Sequence, residues 1–168
     1  MRKLNILKTI VDIVWIISVF SVPLILFSVI FLFLSEDTGN LKIKIIGLQI
    51  NETTIFTKLT LGVLFLIYLL LIYCIYLFKK ILRCFQRLKM FDELVIVNFN
   101  KIGYLLIISS LISGTLSFIY KLFYAKTIHL EIGVNSFLVM LCLGFFFMVL
   151  SEIFKISKNM KEESDLTI

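Results

Sequence analysis

Long runs of apolar residues dominate the chain, and short polar segments separate them. Four runs reach the roughly 20 residues that an α-helix needs to cross a hydrocarbon core, at residues 13–34, 59–78, 102–120 and 135–154. The first run is longer than the apolar core of a signal peptide, and it lacks a small-residue cleavage site. The pattern therefore predicts an all-α integral membrane protein built as a bundle of four transmembrane helices.

Composition agrees with a lipid environment. Hydrophobic residues make up 60% of the chain and charged residues 17%, whereas about a quarter of the residues in a soluble domain are charged. The three cysteines, Cys74, Cys84 and Cys142, are far apart and show no metal-ligand spacing, so we interpret them as packing residues. We expect a single membrane domain over residues 1–168, without a cofactor or a metal site.

The basic residues are unevenly distributed among the segments that join the four runs. The N-terminal segment, the middle loop 79–101 and the tail 155–168 together hold twelve of the 17 Lys and Arg residues, and the loops 35–58 and 121–134 hold the other five. Cytoplasmic loops carry the excess of positive charge in membrane proteins. We therefore predict that the N- and C-termini are cytoplasmic. The same rule accounts for the net charge of +6, so we expect no direct nucleic-acid binding.

Both predicted outer loops contain alternating apolar and polar residues. The alternation covers residues 41–45, 48–50 and 127–132, and a period of two indicates β-strands. An isolated hairpin is marginally stable in water, so we predict that these pieces join in a small β-sheet cap on the bundle. A structural lid is favoured over a face that senses an external ligand. His129, the one histidine, has no nearby cysteine and makes a poor metal site.

Small residues follow one face of the third predicted helix. These residues are Gly103, Ser110, Ser113, Gly114 and Ser117. Small side chains let two membrane helices approach closely and form weak hydrogen bonds between them. A polar pore lining is the alternative, but no charged residue joins the face. We therefore predict a helix-packing seam.

The second helix is predicted to continue beyond the membrane. Residues 77–91 place Lys80, Arg83 and Arg87 on one face and apolar residues on another, which is typical of an amphipathic helix. Such a segment can lie against anionic lipid headgroups or bind an acidic protein partner. We favour the membrane surface, because each basic residue near it contributes about 1 kcal/mol.

Two acidic residues, Asp12 and Glu152, lie near the inner ends of the first and fourth runs. A charge at the centre of a bilayer costs about 2.5 kcal/mol or more, so an acid in a span is a functional candidate. Both acids lie close enough to the boundary to pair with a cation there. We predict pairing with Lys8, Arg83 or Lys155, and a proton or ion relay is the alternative.

Two segments have a distinctive pattern, ILRCFQRLKMFDELVIVNFNKIGYLLI and SEIFKISKNMKEESDLTI. Together they resemble a bacterial membrane family known as domain of unknown function 2975 (DUF2975). The positions that fit are Phe91, Asn98, Lys101, Ile102, Gly103, Glu152, Phe154, Lys158, Glu163, Asp165, Leu166 and Thr167. The family often has Gly-x-Pro or Gly-x-x before the phenylalanine, where this chain has Leu88-Lys89-Met90.

The resemblance implies a protein of the bacterial cytoplasmic membrane with no established activity. Genes of the family commonly neighbour a gene for a very small helix-turn-helix regulator, which implies a membrane-bound partner of a DNA-binding protein. The corresponding cytoplasmic interaction face would comprise Lys80, Arg83, Arg87, Phe91, Asn98, Glu163, Asp165 and Leu166. The acids of the tail would then pair with the basic face, and a frayed terminus is the alternative.

Two functions follow from these patterns. The first is a non-enzymatic regulatory or sensory protein that contacts membrane lipids and a small helix-turn-helix regulator. The second is a small proton-coupled transporter or channel, in which Asp12 or Glu152 carries protons and a homo-oligomer is left open. An envelope-maintenance protein without a discrete ligand is a third option. We predict no enzyme, because the chain lacks a phosphate-binding glycine loop, a nucleophile elbow and an HExxH motif.

Overall fold

The described part of the chain contains four long helices. The computed structural model describes residues 2–34, 43–45, 48–50, 55–88, 90–120 and 136–166. The helices are α1 (Arg2–Leu34), α2 (Ile55–Gln86), α3 (Glu93–Tyr120) and α4 (Ser136–Leu166). Each of them is long and apolar enough to cross a membrane, as the four apolar runs predict.

A short antiparallel hairpin lies between α1 and α2. Its strands are β1 (Ile43–Ile45) and β2 (Leu48–Ile50), and Lys44 is opposite Gln49. The second predicted outer loop, with its alternating pattern and His129, lies outside the described residues. A cap made from both loops therefore stays a prediction.

Three helices extend well beyond the predicted spans at one end of the molecule, which we call the inner end. α2 continues to Gln86, α3 begins at Glu93 and α4 continues to Leu166. At 1.5 Å per residue these extensions are about 12–18 Å long. The loop predicted at residues 79–101 is thus mostly helical, and the tail predicted at 155–168 is a helix rather than a frayed end through Leu166.

The hydrophobic core lies toward this inner end. α3 packs most closely on α4, α2 packs on α3, and α1 packs on α2. The buried core residues come from α2 and α3, and they are Cys74, Leu77, Ile81, Val95, Phe99, Ile102 and Leu106. Ile81 and Val95 are completely buried although both lie beyond the predicted spans. If the extensions lie outside the hydrocarbon, as the predicted spans imply, water supplies a hydrophobic driving force for this packing that lipid does not.

Phenylalanine rings from three helices fill this core. Phe99 of α3 lies 5.5 Å from Phe154 and 5.8 Å from Phe147 of α4, measured between ring centroids. Phe85 of α2 lies 5.7 Å from Phe154 and 6.4 Å from Phe99. Aromatic pairs at such distances contribute about 0.5–1.5 kcal/mol beyond the area they bury. The cluster joins the extensions of α2, α3 and α4.

Glycines on both helices allow the close approach of α3 and α4. A Cβ atom on Gly103 would lie 2.7 Å from the carbonyl oxygen of Gly144 and 2.5 Å from Cγ of Met148. Gly103 and Gly144 therefore both lack space for a larger side chain. Gly144 is a seam residue that the sequence did not single out.

Further along the same seam, α3 contacts the start of α4. The Ser110 hydroxyl donates a hydrogen bond to the carbonyl oxygen of Phe137 at 2.9 Å. A Cβ atom on Gly114 would lie 2.7 Å from the Phe137 ring. The Ser113 hydroxyl bonds within α3, to the carbonyl oxygen of Ser110, and Ser117 is half-buried. Gly103, Ser110 and Gly114 of the predicted stripe thus lie against α4.

Candidate functional site at the inner helix ends

Helix α1 attaches to α2 through a polar seam. Its half-buried residues recur at alternating spacings of four and three, which is the repeat of left-handed helix pairs. Eight of them follow this repeat, namely Leu4, Lys8, Val11, Trp15, Ser18, Val22, Ile25 and Val29, and Asp12 and Ser21 are half-buried beside them. The hydroxyl of Tyr68 on α2 is hydrogen-bonded to the Ser21 hydroxyl and also donates to the carbonyl oxygen of Ser18 at 3.3 Å.

An ion pair joins α1 and α2 near the inner boundary. The Lys79 ammonium lies 2.9 Å from Oδ1 of Asp12, and the two side chains are 13% and 31% exposed. Oδ1 is buried, and the angle of its contact with the ammonium does not meet that of a hydrogen bond. The contact is therefore an ion pair without a well-aligned hydrogen bond. The same ammonium lies 4.4 Å from the centre of the Trp15 ring, a cation–π distance.

The three cations predicted as partners of this carboxylate lie elsewhere, so that prediction was wrong in its detail. Lys8 instead donates a hydrogen bond to Oε1 of Gln86 at 2.8 Å, and the Gln86 amide donates to Oδ1 of Asn5 at 2.9 Å. Arg83 is exposed on α2, and Lys155 is exposed on α4. The true partner is on the face of α2 that points toward α1, a relation between helices that spacing along one helix cannot reveal.

The second candidate acid, Glu152, is exposed on α4. Within the described ranges it forms no ion pair. α4 packs on α3, whereas α1 packs on α2. The structure therefore does not bring Glu152 into the site of Asp12.

Lys80 and Arg83 are exposed on α2, and Arg87 is exposed directly after its last residue, beside the polar seam. The Lys80 ammonium lies 5.0 Å from the centre of the Tyr76 ring, and Tyr76 stacks on Tyr73 with ring centroids 6.3 Å apart. We call these five residues the basic stripe. Among the residues that the structure describes, no acid of the tail pairs with its three cations.

The C-terminal extension of α4 meets the connection between α2 and α3 at Phe91. The Lys161 ammonium lies 5.8 Å from the centre of the Phe91 ring. Glu162 pairs within α4, with Lys158 at 3.8 Å. Glu163 is exposed, and the side chains of the last two predicted residues, 165 and 166, lie outside the described part.

Asn98 does not belong to an exposed interaction face. It is 7% exposed, because it lies on the side of α3 that carries the core residues Val95 and Ile102. Its prediction as a contact residue for a partner is corrected to an internal position.

Sequence reasoning missed Trp15, Lys79 and Gln86. A signal for this seam exists in α1, where polar residues recur on one side of the helix. Asn5, Lys8 and Asp12 are three and four positions apart, and Ser18 and Ser21 follow six and nine positions after Asp12. In a helix that is otherwise apolar, polar residues at this spacing mark the face that contacts another helix.

Four long apolar helices, two polar seams between them and charged extensions at one end define a multi-pass membrane protein. The chain belongs to the family described as "Protein of unknown function (DUF2975)", whose model matches residues 17–168. The predicted resemblance is thereby confirmed, although Asp12 and Trp15 precede the matched segment. Comparison with curated proteins and with solved structures gave no match.

Proposed function

We propose that this protein is a non-enzymatic regulator of the bacterial cytoplasmic membrane that holds a small helix-turn-helix DNA-binding protein on its inner end. Both termini and the α2–α3 connection would lie in the cytoplasm, as the distribution of lysine and arginine predicts. On the outer side, the β1–β2 hairpin would join the second loop in a cap.

The observation that carries the proposal is the location of the best-packed region. Ile81 and Val95, both fully buried, and the ring pair Phe85–Phe154 belong to the inner helix extensions. A helix that only crossed a bilayer would need no such packing beyond it. In this proposal the extensions lie outside the membrane as a rigid support, and binding surfaces are most accurate on rigid elements.

An exposed apolar surface lies on this support. It consists of Leu88, Met90, Phe91, Leu94 and Met160, which we call the loop–tail surface. Leu88 is 65% exposed and Leu94 is 60% exposed. Apolar groups concentrated outside the hydrocarbon are typical of a protein interface, and the charged residues Lys161 and Glu162 lie beside them. An apolar centre with a polar rim is the usual anatomy of an interface.

Co-purification in detergent with a small helix-turn-helix protein, which the family resemblance leads us to expect beside this gene, tests the proposal. We expect a stable complex at micromolar concentration. The variant Phe91→Glu/Leu94→Glu should weaken it by at least about tenfold, because truncating or charging a central apolar contact commonly costs 2 kcal/mol or more.

The matched control is Asn100→Glu/Asn159→Glu, which adds the same two charges at exposed polar positions of α3 and α4. This control should retain the complex. Clean absence of the regulator from the purified wild-type protein would contradict the proposal, and so would equal binding by all three proteins.

A small proton-coupled transporter or channel is the second candidate. The observation that favours it is Oδ1 of Asp12, which is buried without a regular hydrogen bond. Proton transfer through this carboxylate would require Lys79 to move away. Asp12→Asn should then abolish proton-coupled flux in proteoliposomes, and flux that is absent or unchanged would remove this candidate.

A further inference from the structure

Among the described residues, the cations of the basic stripe have no acidic partner. Lys80 and Arg83 lie on α2, and Arg87 follows its last residue, with its N–H bonded to the carbonyl oxygen of Arg83. The spacings of three and four therefore place the three cations on one side. All three are exposed. The nearby Asp12 is already paired with Lys79.

The facing element adds to the positive charge instead of balancing it. α1 packs against α2, and its first turn carries the exposed residues Arg2 and Lys3. Lys8 is bound by the neutral amide of Gln86, which leaves its charge intact. The only acid of α1 is Asp12. Among the described residues, the surface around the stripe thus presents positive charge that an anion can approach.

We propose that the basic stripe binds the headgroup of an acidic glycerophospholipid. Two tyrosine rings, Tyr73 and Tyr76, precede the cations along the same side of α2, with Lys80 lying 5.0 Å over the Tyr76 ring. Tyrosine is enriched where acyl chains meet headgroups, and lysine and arginine pair with phosphate just beyond. The order of rings and cations along α2 thus matches the order of acyl chain, glycerol and phosphate in one lipid.

The phosphate is assigned to Arg83 and Arg87. A guanidinium group presents two parallel N–H donors, which suits a phosphate better than an ammonium does. Lys80 serves as an additional point charge beside Tyr76. This assignment places the lipid on the basic stripe and leaves the loop–tail surface to the protein partner, so it goes beyond the proposed function.

The single tryptophan of the chain makes the site measurable. The ring centroids of Trp15 and Tyr76 are 6.5 Å apart, so Trp15 lies beside the tyrosine end of the basic stripe. We would reconstitute the protein in phosphatidylcholine nanodiscs that contain a small fraction of phosphatidylglycerol with brominated acyl chains. Bromine quenches tryptophan fluorescence on contact, so quenching at Trp15 reports lipid at the stripe. The reference is the same fraction of brominated phosphatidylcholine.

Wild-type protein should be quenched more strongly by brominated phosphatidylglycerol than by brominated phosphatidylcholine. Arg83→Gln/Arg87→Gln should lower the apparent affinity for the acidic lipid about fivefold for each arginine removed. Lys101→Gln/Lys155→Gln removes the same charge from exposed positions on α3 and α4 and should retain the preference. Arg83→Lys/Arg87→Lys keeps the charge, should retain part of the preference, and guards against loss through misfolding.

Equal quenching by the two lipids, or an unchanged preference in Arg83→Gln/Arg87→Gln, would overturn the proposal. Release of the lipid by inorganic phosphate at constant ionic strength would show a free-phosphate site and would also overturn it. Loss of regulator binding in Arg83→Gln/Arg87→Gln without any lipid preference would assign the stripe to the protein interface. The lipid measurement needs no regulator, so its failure is distinct from failure of the proposed function.

Discussion

Leu88, two residues after the end of α2 at Gln86, has an unfavourable backbone conformation. Its φ angle is 58°, in the left-handed region. The backbone N–H of Arg87 bonds to carbonyl oxygens of the last turn, and that of Leu88 bonds to the carbonyl oxygen of Phe85 at 3.2 Å. Glycine is the usual residue after a helix in this conformation, because a Cβ atom costs roughly 1–2 kcal/mol there. The extension predicted through residue 91 therefore ends earlier.

Leu88→Gly is expected to stabilise the protein. Removing the Cβ atom relieves the strained backbone, and the gain exceeds the added freedom of the unfolded chain, for a net effect of about 0.5–1 kcal/mol. The midpoint of thermal unfolding in detergent should rise by a few degrees. Met90→Gly, at a residue without a positive φ, should leave the midpoint unchanged or lower it. A lower midpoint for Leu88→Gly would contradict the strain argument.

The Asp12–Lys79 ion pair should show energetic coupling. Both side chains are more than half buried, and removing one partner leaves the other charge uncompensated near lipid. In a double-mutant cycle, Asp12→Asn and Lys79→Met should each destabilise the protein. The double variant should lose less than the two effects combined, with a coupling of about 1–3 kcal/mol. Additive effects would show that the pair contributes nothing to the α1–α2 seam.

At the scale of elements, α1 shows the limit of apolar patterns. No residue of its apolar window is buried within the molecule, so hydropathy marks no face of the helix. The helix itself is predictable, because length and composition are sufficient. The face of α1 that contacts α2 cannot be predicted from hydropathy, since lipid and a neighbouring helix are equally apolar surroundings. Polar residues such as Ser18 and Ser21 carry that information instead.

The α3–α4 seam depends on Gly144. A Cβ atom there would lie 2.7 Å from Cγ1 of Ile107 and 3.0 Å from the carbonyl oxygen of Gly103. Gly144→Ala should separate the helices and destabilise the protein by about 1–3 kcal/mol, as overpacking does. Unfolding in detergent, followed by circular dichroism, measures the change.

Gly62→Ala is the matched control for Gly144→Ala. It makes the same substitution within α2, where an added Cβ atom would meet nothing within 4 Å. Because alanine favours helix more than glycine by about 1 kcal/mol, this control should be neutral or stabilising. Equal destabilisation by the two variants would remove the packing explanation of the seam.

At the scale of the whole molecule, the inner end combines three features. It holds the aromatic core around Phe99, the ion pair that joins α1 to α2, and the basic stripe beside the loop–tail surface. Amphipathic spacing along α2 predicted its extension, with Ile81 on the apolar side, and Ile81 is indeed fully buried. The partner of Asp12 and the burial of Asn98 were not predictable, because both depend on how separate helices meet.

The proposed activities all require that the inner end lies in the cytoplasm and that the helices cross the membrane. Accessibility of single cysteines tests this most directly. Cys74, Cys84 and Cys142 would first be replaced by alanine. Asn159→Cys then places a thiol on the exposed α4 extension, and Asn40→Cys places one within residues 35–58, the predicted outer loop. Both variants are treated with a membrane-impermeant maleimide on intact cells.

We expect labelling of position 40 in intact cells and labelling of position 159 only after permeabilisation. Labelling of position 159 in intact cells would contradict this expectation.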